Sequence, residues 1–282
     1  MKRTISVLIS ICLILLVLPG CSSAKKGQPT MPWQEKTEAG SKESDQTSPF
    51  SEKPEATTPR EETSEQNDLS SVTDLPTIPA EGYSRYLTMK SNAYDRINAK
   101  IEEHEELSFT VGMALLPVIM VDLSFIFVSV LGMEGGEAAL RMMTADDVVI
   151  EKNGQVYSIT YTDEEGGKFR QTAEFFSDQD AIKSTVATDG KETAFFEYTK
   201  VGNGYASHYY SANEESDDYS LITTFFDEGN ISAFGVTTVS GAPESIIGKP
   251  DLTAEYVVND EMYIILENGT LTVMIDGELK TY

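Results

Sequence analysis

The sequence predicts an α+β protein in which N-terminal helices pack on or inside a long antiparallel β-meander. From Tyr83 to Ile101, apolar residues recur every three or four positions, as they do along one face of a helix. After residue 145 the apolar period changes to two, and tight-turn pairs such as Asn153-Gly154 separate the alternating segments. We therefore expect helices over about 83–106 and 137–143, followed by strands.

The segment between the two predicted helices is the most apolar part of the chain outside its first twenty residues. Residues 109–133 contain one charged residue, Asp122. The run is long enough to cross a bilayer, which takes roughly 20 residues. A transmembrane helix, a central helix buried on all sides and an exposed element that binds lipid or a partner all remain open. The sequence favours the buried helix, because no cluster of Lys and Arg flanks the run to orient it in a membrane. We expect Pro117 to kink or interrupt it, and Asp122 to find a hydrogen-bond partner if it is buried.

Eight strands are predicted in the meander, because turn signals recur at short intervals through this part of the chain. Their predicted ranges are 148–152, 155–162, 168–176, 182–188, 192–200, 205–212, 219–227 and 231–239. Several carry adjacent aromatic pairs, such as Phe195-Phe196, and neighbours in a strand point to opposite faces. Both faces of the sheet should therefore be partly covered, one of them by the helices. A helical turn from Pro243 and four short strands within 255–282 should complete the chain.

The first twenty residues have the organisation of an export signal. Met1-Lys2-Arg3 is a basic head, and residues 5–18 are almost wholly apolar. About 14 apolar residues are too few to span a bilayer and match the core of a secretory signal. The segment ends in Leu18-Pro19-Gly20-Cys21, which resembles the lipobox of bacterial prolipoproteins. The resemblance implies that Cys21 receives a diacylglyceryl group and that cleavage follows Gly20.

Three regions follow from these patterns. They are a lipoprotein signal peptide over 1–20, a lipidated Cys with a disordered tether over 21–80, and a single α+β domain over 81–282. Within the domain we expect helices in 81–144, the meander in 145–240, and a short helix plus a small meander in 241–282. The tether is assigned because residues 22–80 hold seven of the eleven prolines and only two aromatic residues, Trp33 and Phe50. As a random coil it would reach roughly 40–45 Å.

The order of helices and then a long meander resembles the half-barrel of lipoprotein carriers and related lipid-binding lipoproteins. In that fold a curved sheet wraps around helices and shelters an apolar cavity. The resemblance implies a carrier of a lipid or another apolar ligand. The apolar ligand face would then include Leu116, Ile119, Met120, Phe125 and Phe127.

Composition narrows the function classes. The chain has 282 residues, 46 acidic and 21 basic, with a net charge of −25, so it lacks the cationic surface that binds nucleic acid. Two Cys and two His leave little for metal chemistry, and no cofactor or metal site is predicted. His208 has no G-x-S-x-G serine to activate. The main hypothesis is a non-enzymatic, lipid-anchored binding or structural lipoprotein on the extracytoplasmic face of the cell membrane. It would contact the membrane through Cys21 and an envelope partner of unknown identity, and the carrier is the alternative.

Overall fold

A computed structural model describes residues 75–144, 147–163, 166–213, 216, 218–259 and 261–282. The predicted signal, Cys21 and nearly all of the predicted tether lie outside these residues. The elements are helices α1 (Pro79–Glu102), α2 (Glu105–Ser124) and α3 (Gly136–Met143), 3-10 helices Ile126–Val130 and Ala254–Val257, and strands β1 (Val149–Asn153), β2 (Val156–Thr162), β3 (Lys168–Phe176), β4 (Ala181–Thr188), β5 (Lys191–Val201), β6 (Gly204–Ala212), β7 (Tyr219–Phe226), β8 (Ile231–Val239), β9 (Met262–Glu267), β10 (Thr270–Ile275) and β11 (Glu278–Thr281).

The strands form one open sheet in sequence order, β1 to β11, and neighbouring strands are antiparallel. The α+β class and the antiparallel meander are therefore confirmed, and the eight predicted strands lie within one or two residues of β1–β8. Gly154 takes the left-handed φ of 63° that a tight hairpin turn requires, next to the Asn153–Val156 pair. The C-terminal strands extend the same sheet, since β8 pairs with β9. Both β1 and β11 are edge strands of the described sheet.

Helix α1 packs along one face of this sheet. It begins at Pro79, which suits the first turn because proline has no N–H to donate. The predicted domain boundary at residue 81 therefore falls inside α1. The stacked rings of Tyr86 and Tyr198 have centroids 4.8 Å apart, and the Phe226 ring lies 5.6 Å from Tyr86. Gly82 permits this close approach, because a Cβ there would come within 2.6 Å of the Tyr198 hydroxyl oxygen.

Helix α2 runs through Pro117 without a break, so of the kink or interruption expected there the interruption is wrong. Pro117 lies on the exposed side of the helix, where water can satisfy the Met113 carbonyl that loses its N–H donor. The regular helix ends at Ser124 and continues as a 3-10 turn.

The opposite face of the sheet is covered beside β5 to β9 by the β8–β9 connection, which the structure describes over residues 240–259 and 261. The helical turn expected from Pro243 is absent from its described part, and the strand expected near 255–258 is a 3-10 helix. Ile246 and Val257 of this connection pack with Phe225 in a second apolar cluster. The polar groups around Ser245 bond across to the sheet instead of along a helix, which explains the wrong local prediction.

Candidate functional site

The most unusual surface of the described chain is the outer face of α2, which we define by Phe109, Met113, Leu116, Ile119 and Met120. The buried stripe on the other side of the helix comprises Leu107, Val111, Leu115, Val118 and Val121. A surface helix ordinarily pairs one apolar stripe with a polar outer face. Here Phe109 is 79% exposed, Met113 54% and Ile119 38%. The helix is thus apolar on both sides and buried on one.

The favoured sequence interpretation, a helix buried on all sides, is therefore wrong. Over residues 106–124, α2 is long and apolar enough by length and composition to cross a membrane, yet only one side of it is buried. Length and composition could not show how much of the helix the rest of the domain covers. That coverage depends on α1, which contacts α2 along one side only.

An ion pair fixes α2 against α1. The Lys90 ammonium donates to Asp122 Oδ1 at 2.5 Å and to the Val118 carbonyl at 3.2 Å. Lys90 is 2% exposed, whereas Asp122 is 26% exposed. Burial favours the neutral amine, but the Tyr86 side chain and the Asp122 carboxylate outweigh it, so the pKa of Lys90 is raised. The hydrogen-bond partner expected for Asp122 is thereby confirmed.

Polar contacts also fix α1 to the sheet. The Tyr86 hydroxyl shares a hydrogen bond of 2.9 Å with Ser207 Oγ, which lies 2.6 Å from Thr224 Oγ1. Near the other end of α1, the Arg96 guanidinium donates to the carbonyls of Asp227 and Ile231 at 2.8 and 2.9 Å. Because α1 is held to the sheet at two places and α2 is held on α1, these contacts set the position of the outer face of α2.

The five residues predicted for an apolar ligand face occupy three different environments. Leu116 and Met120 are half-buried on the outer side of α2, with Ile119 more exposed beside them. Phe125 is fully buried and faces the sheet, with its ring centroid 5.1 Å from that of Phe196. Phe127 is half-buried, 6.1 Å from Tyr161. The structure thus brings three of the five together on the outer face of α2.

A second polar cluster lies on the other side of the sheet, under the β8–β9 connection. Glu197 and His208 are opposite each other on β5 and β6. Glu197 Oε2 accepts from Ser245 Oγ at 2.8 Å and from the Ile246 N–H at 3.0 Å, and it lies 3.4 Å from His208 Nε2. Tyr256 Oη is 3.2 Å from His208 Nδ1. These contacts tie the connection to the sheet.

The electrostatics of this cluster favour an ionised Glu197. Burial alone would raise the pKa of its carboxyl. The hydrogen bond and charge of His208, with the donors from Ser245 and Ile246, outweigh burial and lower the pKa from 4.5 to about 2. Burial, followed by the charge of Glu197, raises the pKa of Tyr256. Since His208 is 1% exposed and Glu197 4%, the cluster is closed to solvent and acts in packing.

Neither a serine activated by His208 nor a metal site is assembled among the described residues. Ser207 and His208 are neighbours on β6, so their side chains point to opposite faces; Ser207 meets Tyr86 while His208 meets Tyr256. No group of three or more His, Cys, Asp or Glu side chains in the described part of the chain could hold a metal ion. A cleft of about 500 Å³ opens at β2–β5, and it is lined mainly by threonines and charged residues, not by α2.

Lys90 and Glu197 were not singled out from the sequence, although each is a charged residue at a position where the pattern of its element predicts burial. Lys90 lies four residues after Tyr86 and three before Ala93, in the phase of the buried stripe of α1. Glu197 alternates with Phe196 on a strand whose two faces are both covered. A charged residue in a buried phase indicates a partner from another element, but the sequence does not name that partner.

Comparison of the chain with protein-family models, with curated proteins and with solved structures found no match.

Proposed function

We propose that the chain is a lipid-anchored, non-enzymatic binding or structural lipoprotein of the bacterial cell envelope, held on the extracytoplasmic face of the cell membrane by Cys21. The observation that carries the proposal is the basic head, apolar run and Leu18-to-Cys21 motif at the N-terminus. A diacylglyceryl group supplies two acyl chains, which hold a protein on a membrane stably where one chain is marginal.

The folded domain supports a binding or structural role. Its two buried charged clusters hold elements together: Lys90 with Asp122 joins two helices, and Glu197 with His208 supports the β8–β9 connection. The acidic residues on the surface lie outside these two clusters, and their charge keeps the domain soluble. What the domain presents outward is the apolar outer face of α2.

The carrier hypothesis needs a cavity between the helices and a half-barrel sheet. Aromatic rings occupy the centre of that space, since Tyr86 packs against Phe196 and Phe226 with ring centroids 5.7 and 5.6 Å away. The geometry therefore favours the binding or structural role over the carrier.

The anchor is tested in a bacterial host that exports and lipidates proteins. Mass spectrometry of the mature N-terminal peptide should find it beginning at Cys21 with the added mass of a diacylglyceryl group. Cys21→Ser should abolish that mass and, because cleavage after Gly20 follows lipid transfer, leave the apolar signal residues on the chain. Cys12→Ser is the matched control, because Cys12 lies in the segment that cleavage removes. A mature chain with an unmodified Cys21, or a Cys21→Ser chain that is still cleaved after Gly20, would refute the anchor.

A further inference from the structure

The outer face of α2 is an apolar surface that the fold leaves open. Phe109, Met113 and Ile119 are all more than a third exposed, and no charged residue occurs between Glu106 and Asp122. Of the two acidic residues that bound this surface, Asp122 is paired with Lys90, and Glu106 lies at its N-terminal end with its side chain 68% exposed. Contiguous apolar surface of this kind on a soluble domain marks an interaction site.

The chain outside the described residues indicates what this surface meets. The proposed anchor is at Cys21, and the described structure begins at Leu75. The tether predicted between them would have a root-mean-square reach of about 40 Å. A domain held at that distance is at an effective concentration on the order of millimolar beside the membrane, so even a weak apolar contact is occupied.

We propose that the outer face of α2 lies on the membrane that carries the Cys21 anchor, with Phe109, Met113 and Ile119 at the boundary between headgroups and acyl chains. This inference rests on the proposed lipid anchor. Helices that lie on membranes usually combine an apolar face with Lys and Arg that attract anionic lipid. The outer face of α2 has no such residues, and the chain carries a charge of −25. Contact should therefore depend on apolar insertion, be stronger on zwitterionic than on anionic vesicles, and survive added salt.

The position of α2 relative to lipid can be read from a single tryptophan. Trp33 is the only tryptophan of the chain, so Trp33→Phe gives a silent background. Into this background, Met113→Trp places a probe on the outer face, and Leu279→Trp places a control on β11, where Leu279 is 57% exposed. Both lipidated chains are reconstituted in phosphatidylcholine vesicles that contain brominated phosphatidylcholine, which quenches tryptophan on contact.

We expect the probe at position 113 to shift its emission to the blue and to be quenched several-fold more than the probe at 279. Adding Phe109→Ser and Ile119→Ser should remove most of this quenching. The exposed pair Val149→Ser and Val258→Ser should leave it unchanged, and circular dichroism verifies that each chain is folded.

Flotation of the same samples separates the two proposals. Chains that float with the vesicles while both probes are quenched alike would overturn the membrane contact and leave the anchor intact. Chains that fail to float would refute the anchor. They would also remove the argument that the membrane covers the outer face of α2. A blue shift at position 113 that grows with protein concentration in the absence of vesicles would assign the surface to a second copy of the chain and overturn the proposal.

Discussion

Replacing Asp122 by alanine tests the ion pair that joins α1 to α2. The change leaves the Lys90 ammonium 2% exposed, with its remaining hydrogen bond to the Val118 carbonyl. Removing one partner of a buried pair costs roughly 3–5 kcal/mol. Water already reaches Asp122, and alanine is the better helix former by up to about 0.7 kcal/mol. We therefore expect the lower end of the range, about 3 kcal/mol.

The free energy of unfolding is measured by urea titration at neutral pH, with circular dichroism as the signal, on the unlipidated Cys21→Ser chain. For a denaturant slope of about 2 kcal/mol per molar, the midpoint should fall by roughly 1.5 M. Glu137→Ala is the control, because Glu137 is an exposed acid that pairs with Arg141 at 2.8 Å on α3. Its loss should stay within about 0.5 kcal/mol.

A double substitution distinguishes the cost of an unpaired charge from the worth of the pair. Lys90→Met with Asp122→Leu replaces both charges by apolar groups of similar size, which is often neutral for a buried pair. We expect it to recover most of the stability that Asp122→Ala loses. Two results would contradict the role of the pair in holding α2. One is an Asp122→Ala loss no larger than that of Glu137→Ala. The other is a double variant that loses as much stability as Lys90→Met and Asp122→Leu lose separately when added together.

Two further predictions concern the β8–β9 connection. The lowered pKa of Glu197 contributes about 3 kcal/mol to the free energy of unfolding; this contribution is complete above pH 4.5 and is lost as the pH falls through about 2. In urea titrations across this range, Glu197→Gln should weaken the loss of stability at acid pH. Glu192→Gln, an exposed control, should not. Gly235→Ala should destabilise by about 1–3 kcal/mol, because its Cβ would lie 2.5 Å from the Val257 carbonyl oxygen. Gly241→Ala, with nothing within 4 Å, should leave the thermal midpoint unchanged, and equal midpoints for these two alanine variants would contradict the close packing.

The local sequence pattern was sufficient to predict the strands, but it was insufficient to predict the conformation of the connection between β8 and β9. Gly154 fixes a hairpin through its positive φ in the two-residue turn between Asn153 and Val156, and each later turn is likewise set within a few residues. The connection is different, because Ser245 and Ile246 direct their donors to Glu197, 48 and 49 residues away. A contact so distant in sequence leaves no periodicity near Pro243.

The candidate surface was predicted in part. Residues 109–133 stand out by hydropathy alone, and Ile119, Leu116 and Met120 lie on the outer side of α2. Phe125 has the same chemistry but is buried against Phe196. Hydropathy could not separate these residues, because the buried and the exposed side chains of this run are both apolar.

The sequence by itself determined the α+β class and the sequential antiparallel strands, since both depend on short-range spacing. Only the tertiary structure decided which side of α2 is covered, because α1 selects one stripe through packing and through the Lys90–Asp122 pair. It also decided that the C-terminal strands join the main sheet and that the described part of the β8–β9 connection covers the second face beside β5 to β9. These outcomes depend on competition among apolar surfaces distant in the chain, in which the domain buries one face of α2 and leaves the other open.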